Sequence, residues 1–216
     1  MTQTSMQQQP STADAYGFGF AEMAYLLKST STPQAEKSAA VLRLSEELAS
    51  EQLCMAGASS LLARGLATAN GEDLELEGPA VALAYALGRA NRWTEISLMS
   101  GESIDTVVHV ESDLVKVLLQ PRTLATWFAF AQDPAIEGAV AELDIVAEHV
   151  RQTQTGTAYI LSRTVDAEDH LMIRPDAGAW SVGKVVDPAS DVVEESGLDD
   201  IGLLAALTTL RTALLS

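Results

Sequence analysis

The chain is short of several things that would have named a function class. Among its 216 residues there is one cysteine, Cys54, so no intrachain disulfide can form and nothing points to an oxidising compartment. There are three histidines, His109, His149 and His170, each far from the others and from Cys54, with no metal-ligand spacing among them. No metal and no cofactor is expected. Basic residues number 13 against 30 acidic ones, for a formal net charge of −17. Those few cations are scattered, and a phosphate backbone or an anionic membrane surface repels such a chain, so neither nucleic acid nor membrane is an expected partner. No run of about 18 apolar residues is present, so no membrane span is expected. The opening residues have neither a basic nor an apolar signal region, and the expected location is the cytoplasm.

Motifs of familiar chemistry are also missing. The sequence holds no Walker motif, no H-E-x-x-H and no G-x-S-x-G. Ser181 and Lys184 match S-x-x-K as a string but fall on an expected strand, where they point to opposite faces. Gly17 and Gly19 follow no expected strand and lack a third glycine. Cys54, between Leu53 and Met55, is expected to be a buried, inert thiol.

What is present is an α+β pattern. Residues 1–14, rich in Gln, Ser and Thr, are expected to be a disordered tail, and 15–216 to form a single α+β domain. Helices are predicted from Phe20 to Lys28, from Thr32-Pro33 onward, from Glu51 to Ala69, and from Pro79 to about Asn91. At Arg92 the apolar period changes from 3.6 to 2, and three strands follow within about 92–121. "TLATWFAFA" is predicted helical, and Asp133-Pro134 is taken to start another helix. Three more strands lie within about 157–186, then an acidic stretch from Asp187 to Asp200, then a helix over about 199–215. The expected fold is therefore one or two antiparallel sheets built from two three-strand meanders, each followed by a helix, with helices in front. The second half repeats the first in layout, without a convincing sequence repeat.

The last hairpin, "HLMIRPDAGAWSVGKVV", carries Arg174 and Trp180. Trp180 has two readings: a core side chain packed on the final helix, or, with Arg174, a partner-binding pair of the kind enriched in interface hot spots.

The order of pieces resembles the EspG family, cytosolic chaperones of mycobacterial type VII secretion. Three stretches carry the likeness: "LLARGLATANGEDLELEGPAVALAYALGRANRWTEISLMSG", "VVHVESDLVKVLLQPRTL", and the last hairpin with its Leu-rich helix. They span roughly half the chain. The Glu111-Ser112-Asp113 turn departs from the family, in which that loop is long and helps hold the substrate. The resemblance implies a non-enzymatic cytosolic protein-binding protein, chaperone- or adaptor-like for a secreted partner. The alternative is an enzyme or small-molecule-binding domain whose site is assembled from distant residues. A subunit of a homo-oligomer is a third reading.

Overall fold

A computed structural model describes residues 15–71, 73–153, 155–184 and 193–215. The expectation for 1–14, and the first part of the acidic stretch after Asp187, fall outside the described residues. The fold is α+β. Five helices come early: α1 (Phe20–Thr30), α2 (Pro33–Val41), α3 (Ser45–Ala49), α4 (Glu51–Ala63) and α5 (Pro79–Gly88). As the sequence predicts, Thr32 caps α2, its hydroxyl accepting the Ala35 N–H, with Pro33 at the first helical position.

Nine strands form one antiparallel sheet. They are β1 (Ala15–Gly19), β4 (Arg92–Ser100), β5 (Ser103–Glu111), β6 (Lys116–Arg122), β7 (Thr126–Gln132), β8 (Thr157–Arg163), β9 (Glu168–Asp176), β10 (Ala179–Lys184) and β11 (Val193–Leu198). Their order is β1-β7-β6-β5-β4-β8-β9-β10-β11. Helix α6 (Gly138–Thr153) follows β7, and α7 (Asp200–Thr212) follows β11.

Four expectations need correction. Residues 126–132 are strand β7, not a helix: aromatic side chains favour a pleated surface, and here both faces are used. Trp127 and Ala129 pack with the early helices, while Phe128 and Phe130 point the other way. Helix α4 ends at Ala63 rather than Ala69. Gly65 takes φ 69°, the Leu66 N–H reaches the Leu61 carbonyl at 2.9 Å, and the Gly65 N–H reaches the Leu62 carbonyl at 3.1 Å. That left-handed stop releases the chain into a hairpin, β2 (Ala67–Asn70) and β3 (Asp73–Leu76). Asp133 and Pro134 form a turn, closed by the Ile136 N–H on the Asp133 carbonyl, and α6 starts only at Gly138. Lastly, β11 is an additional strand, so with β7 each meander has four strands, and β1 is a further strand on the free edge of β7.

The two meanders are related by an approximate two-fold axis normal to the sheet. Strands β4 and β8 pair at its centre, Ile96 against Ile160. From that pair the register repeats 64 positions later: Val107 faces Ile96 as Leu171 faces Ile160, and Leu118 faces His109 as Val182 faces Ile173. The buried positions of the following helices also correspond, Ala139 and Val146 in α6 with Leu203 and Leu210 in α7.

Each face of the sheet is only partly covered. Helices α1, α2, α4 and α5 lie on one face, over Trp93, Val108, Val110, Val117 and Leu119. There Gly57 of α4 meets the Ala21 carbonyl so closely that any Cβ would clash. Helices α6 and α7 lie on the other face, over Ile96, Ile160, Leu171, Ile173 and Val182. Among the described residues no helix is long and apolar enough to cross a membrane. Leu207 is fully buried at the middle of α7. Leu207→Ala should cost about 2–5 kcal/mol in a denaturant titration, whereas a loss under about 0.5 kcal/mol would mean that α7 is not docked.

Candidate functional site

Alternation along the last hairpin separates Arg174 from Trp180. Trp180 faces α7, is 9% exposed, and donates from Nε1 to Asp200 Oδ1 at 2.7 Å. It therefore joins a core side chain to the first turn of the helix. Arg174 pairs across the ladder with Ser181, on the opposite face, and bonds Glu194 at 2.9 and 2.5 Å. The two do not form one contact patch. Ser181 and Lys184 point to opposite faces, Ser181 bonding Ser196 at 2.8 Å and Lys184 pairing with Asp169. Cys54 is buried, near the Glu47 and Leu48 carbonyls. The His170 ring lies against Tyr159, centroids 5.6 Å apart.

The third histidine sits in a setting that spacing did not reveal. His109 and Glu111 alternate on β5 and so share a face, and α6 lowers Glu142 onto them. All three are buried. His109 Nδ1 stands 3.8 Å from both Glu111 Oε1 and Glu142 Oε1. Such a donor set would suit a divalent cation in spacing. The same two oxygens, however, already accept from one guanidinium: Arg211 Nη1 lies 2.5 Å from Glu142 Oε1 and Nη2 lies 2.6 Å from Glu111 Oε1. Arg92 completes the group, donating to the Arg211 carbonyl at 2.8 Å and to Ser162 at 3.0 Å. Two carboxylates thus meet two guanidiniums, and a divalent ion would add charge that nothing balances. Arg211 is the cation of this cluster.

Local structure serves that arrangement. Any Cβ at Gly138, the first residue of α6, would run into the Arg211 guanidinium. Burial works to lower the Arg211 pKa, but Glu142 and Glu111 raise it more, and the net direction is up. For Arg92, burial and the neighbouring Arg211 outweigh the two glutamates, and the direction is down. Both stay charged. The cluster ties β4, β5, α6 and α7 together, and His109 keeps both ring nitrogens without a hydrogen-bond partner among the described residues.

A groove of about 470 Å³ opens on the outer flank of α6, over strands β4 to β7. Its floor is apolar: Leu98, Val107, Leu118 and Phe130, with Ile145 from the helix. Asp105 stands on the strand side, and Asp144, Glu148 and Gln152 rise in steps of four along α6. Its polar groups do not converge on a common point. Glu148 is taken by Arg151 and Gln152, Asp105 by Arg122, and His149 Nε2 by the Met99 carbonyl at 3.1 Å.

The corresponding groove beside α7, about 410 Å³, differs in chemistry. Asp169, Leu171 and Val182 match Asp105, Val107 and Leu118 by register. Lys184 stands where the first unit has Gln120, and it pairs with Asp169. Glu195 lines the position closest to that of Phe130. The two grooves thus differ at matching strand positions, the one beside α7 carrying an ion pair and a glutamate where the one beside α6 carries Gln120 and Phe130.

Sequence reasoning read Leu98, Val107 and Leu118 only as strand residues and Phe130 as part of a buried helix, because the groove draws on five elements from β4 to α6. The signal that could have marked the buried cluster was the alternation of His109 and Glu111 on an otherwise valine-rich strand. Compared with known proteins, the chain matches no family model and no curated sequence.

Two outcomes follow from these placements. Arg211→Met takes the hydrogen-bonding guanidinium from two buried carboxylates, leaving Glu111 with only the more distant Lys116 at 4.0 Å, and should cost about 3–5 kcal/mol, much of it recovered when Glu111→Gln and Glu142→Gln are added. Trp180→Ala should cost about 3–5 kcal/mol, read by urea unfolding, and a change within about 0.5 kcal/mol would place Trp180 outside the core.

Proposed function

We propose that this chain is a protein-binding module without catalytic chemistry of its own, working in the cytosol in the adaptor-like manner that the EspG resemblance implies. The observation that carries this reading is the groove beside α6. Its apolar floor is half-buried at Leu118, Phe130 and Ile145 and runs down to the buried Leu98 and Val107, and polar groups bond one another around its rim. A catalytic pocket gathers polar groups toward one reacting atom, whereas a recognition groove leaves apolar area bare for a partner to cover. The single free thiol accords with a reducing location. Arg174, outside this groove, is a secondary contact at most.

Site-directed photo-cross-linking in the native host tests the reading. Gln152→p-benzoylphenylalanine, on the exposed rim, should trap a protein partner, and the trap should be lost when Phe130→Ser is added, with the melting temperature unchanged within about 2 °C. Trapping only from Met172→p-benzoylphenylalanine, on the opposite face, would move the site to that face. Trapping from neither position would contradict a protein partner.

A further inference from the structure

The groove beside α6 also constrains the shape and charge of what fills it. A helix is about 10 Å across, and strands repeat every 4.8 Å or so, so two helices span roughly half of a nine-strand sheet. Helix α6 packs on β4 and β8, and α7 on β9, β10 and β11. On this face α6 also reaches β5, where Glu142 meets His109 and Glu111 and Val107 is buried, and the strip from β6 to β1 has no helix centred over it among the described residues. It spans two strand intervals, about 10 Å, which is room for one helix and not two.

Backbone chemistry favours a helix over an extended segment. The floor is the face of a sheet whose β5, β6 and β7 backbones already bond one another. A strand laid on that face would press unpaired N–H and C=O groups against Val107, Leu118 and Phe130, whereas a helix satisfies its own. The wall formed by α6 runs from Asp144 to Gln152, two helical turns or about 12 Å. Side-by-side packing on that wall and on the strand face is how α7 already sits against α6 and the second unit.

Charge sets the rest. Acidic residues flank the apolar floor on both sides, Asp105 on the strands and Asp144 and Glu148 on the helix. Arg122 and Arg151 answer Asp105 and Glu148. Asp144 is exposed, and the chain as a whole carries −17. Basic residues beside an apolar stripe meet these walls favourably, and acidic ones are repelled.

We propose that the groove between α6 and strands β5 to β7 binds one amphipathic α-helix of a partner protein, laid alongside α6, with an aliphatic stripe on the floor and Lys or Arg at its flanks. This rests on the protein-binding reading above and adds the partner's secondary structure and sign of charge.

The probe is a fluorescein-labelled, hydrocarbon-stapled helix of leucine, alanine and lysine, with leucines on one stripe. Its controls are a version with glutamate for lysine and a scrambled version of the same composition without a stripe. Fluorescence anisotropy is read with the full chain at physiological salt. The striped lysine helix should bind, and its affinity should fall about tenfold or more with Phe130→Ser or with Gln152→Trp, which fills the groove from its rim. Asp144→Asn with Glu148→Gln should weaken it several-fold, and Met172→Ser should leave it unchanged. Two groove variants, one at an exposed position, separate lost binding from lost folding. If the glutamate or scrambled helix binds equally well in a Phe130-dependent manner, the helix-and-charge assignment is overturned while the protein-binding reading stands. If no peptide's binding depends on Phe130 or Gln152, both fall.

Discussion

The pairing of β4 with β8 is the constraint on which the rest of the molecule depends. Seven residue pairs, from Trp93–Arg163 to Met99–Thr157, join two meanders that each have an edge to hide. Because the pairing is antiparallel and Ile96 meets Ile160 on the axis, the helix that follows each meander returns to the same face. Helices α6 and α7 therefore lie side by side on that face, α6 over the β4–β8 junction and α7 over β9 to β11, and the outer strands of the first unit are left with less cover. The two grooves are a consequence of that geometry before they are anything else. What separates them is side-chain chemistry at matching positions, an ion pair and a glutamate in one and a glutamine and a phenylalanine in the other.

The same comparison of units bears on the buried ions. By register His109 corresponds to Ile173, Glu111 to Pro175 and Lys116 to Trp180. The second unit builds an apolar core at places where the first buries charge, so the fold itself does not require the Arg211 fork. A buried ion pair contributes little net stability against an apolar alternative but is costly to break in half. Its physical consequence here is specificity: Arg211 near the C-terminal end of α7 can be satisfied only when α6, β4 and β5 are all in place. The groove wall is the outer flank of that same α6, which makes the ion cluster the anchor of the groove's geometry.

Much of the fold could be read from residue types because local chemistry and tertiary structure agree. Thr32-Pro33 caps α2, Asp199 caps α7 by accepting the Gly202 N–H, and the switch to a period of two at Arg92 marks β4. The misreadings have equally local causes. Ala125, Ala129 and Ala131 interleave with Trp127, Phe128 and Phe130, so β7, apolar on both faces, shows no alternation and looks like a buried helix. The exposed, acidic β11 carries no apolar period at all, and only pairing with β10 makes it a strand. Gly65, read as part of a helix, was the stop signal for α4. The candidate site was hidden for a different reason. Leu98, Val107, Leu118 and Phe130 become neighbours only through the register of four strands, and Glu142 and Arg211 reach His109 only through helix docking. Arg174 and Trp180 were chosen for their types, and strand alternation then placed them on opposite faces.

The central claim is that the strip over β5 to β7, beside α6, is the binding face of this molecule. Methyl-resolved NMR of the selectively labelled chain, alone and with its cross-linked partner's isolated binding segment, tests it most directly. The account predicts shifts at the methyl groups of Leu98, Val107, Leu118 and Ile145, with Leu161 and Met172 unmoved. Shifts confined to Leu161 and Met172, on the opposite open face, would contradict it.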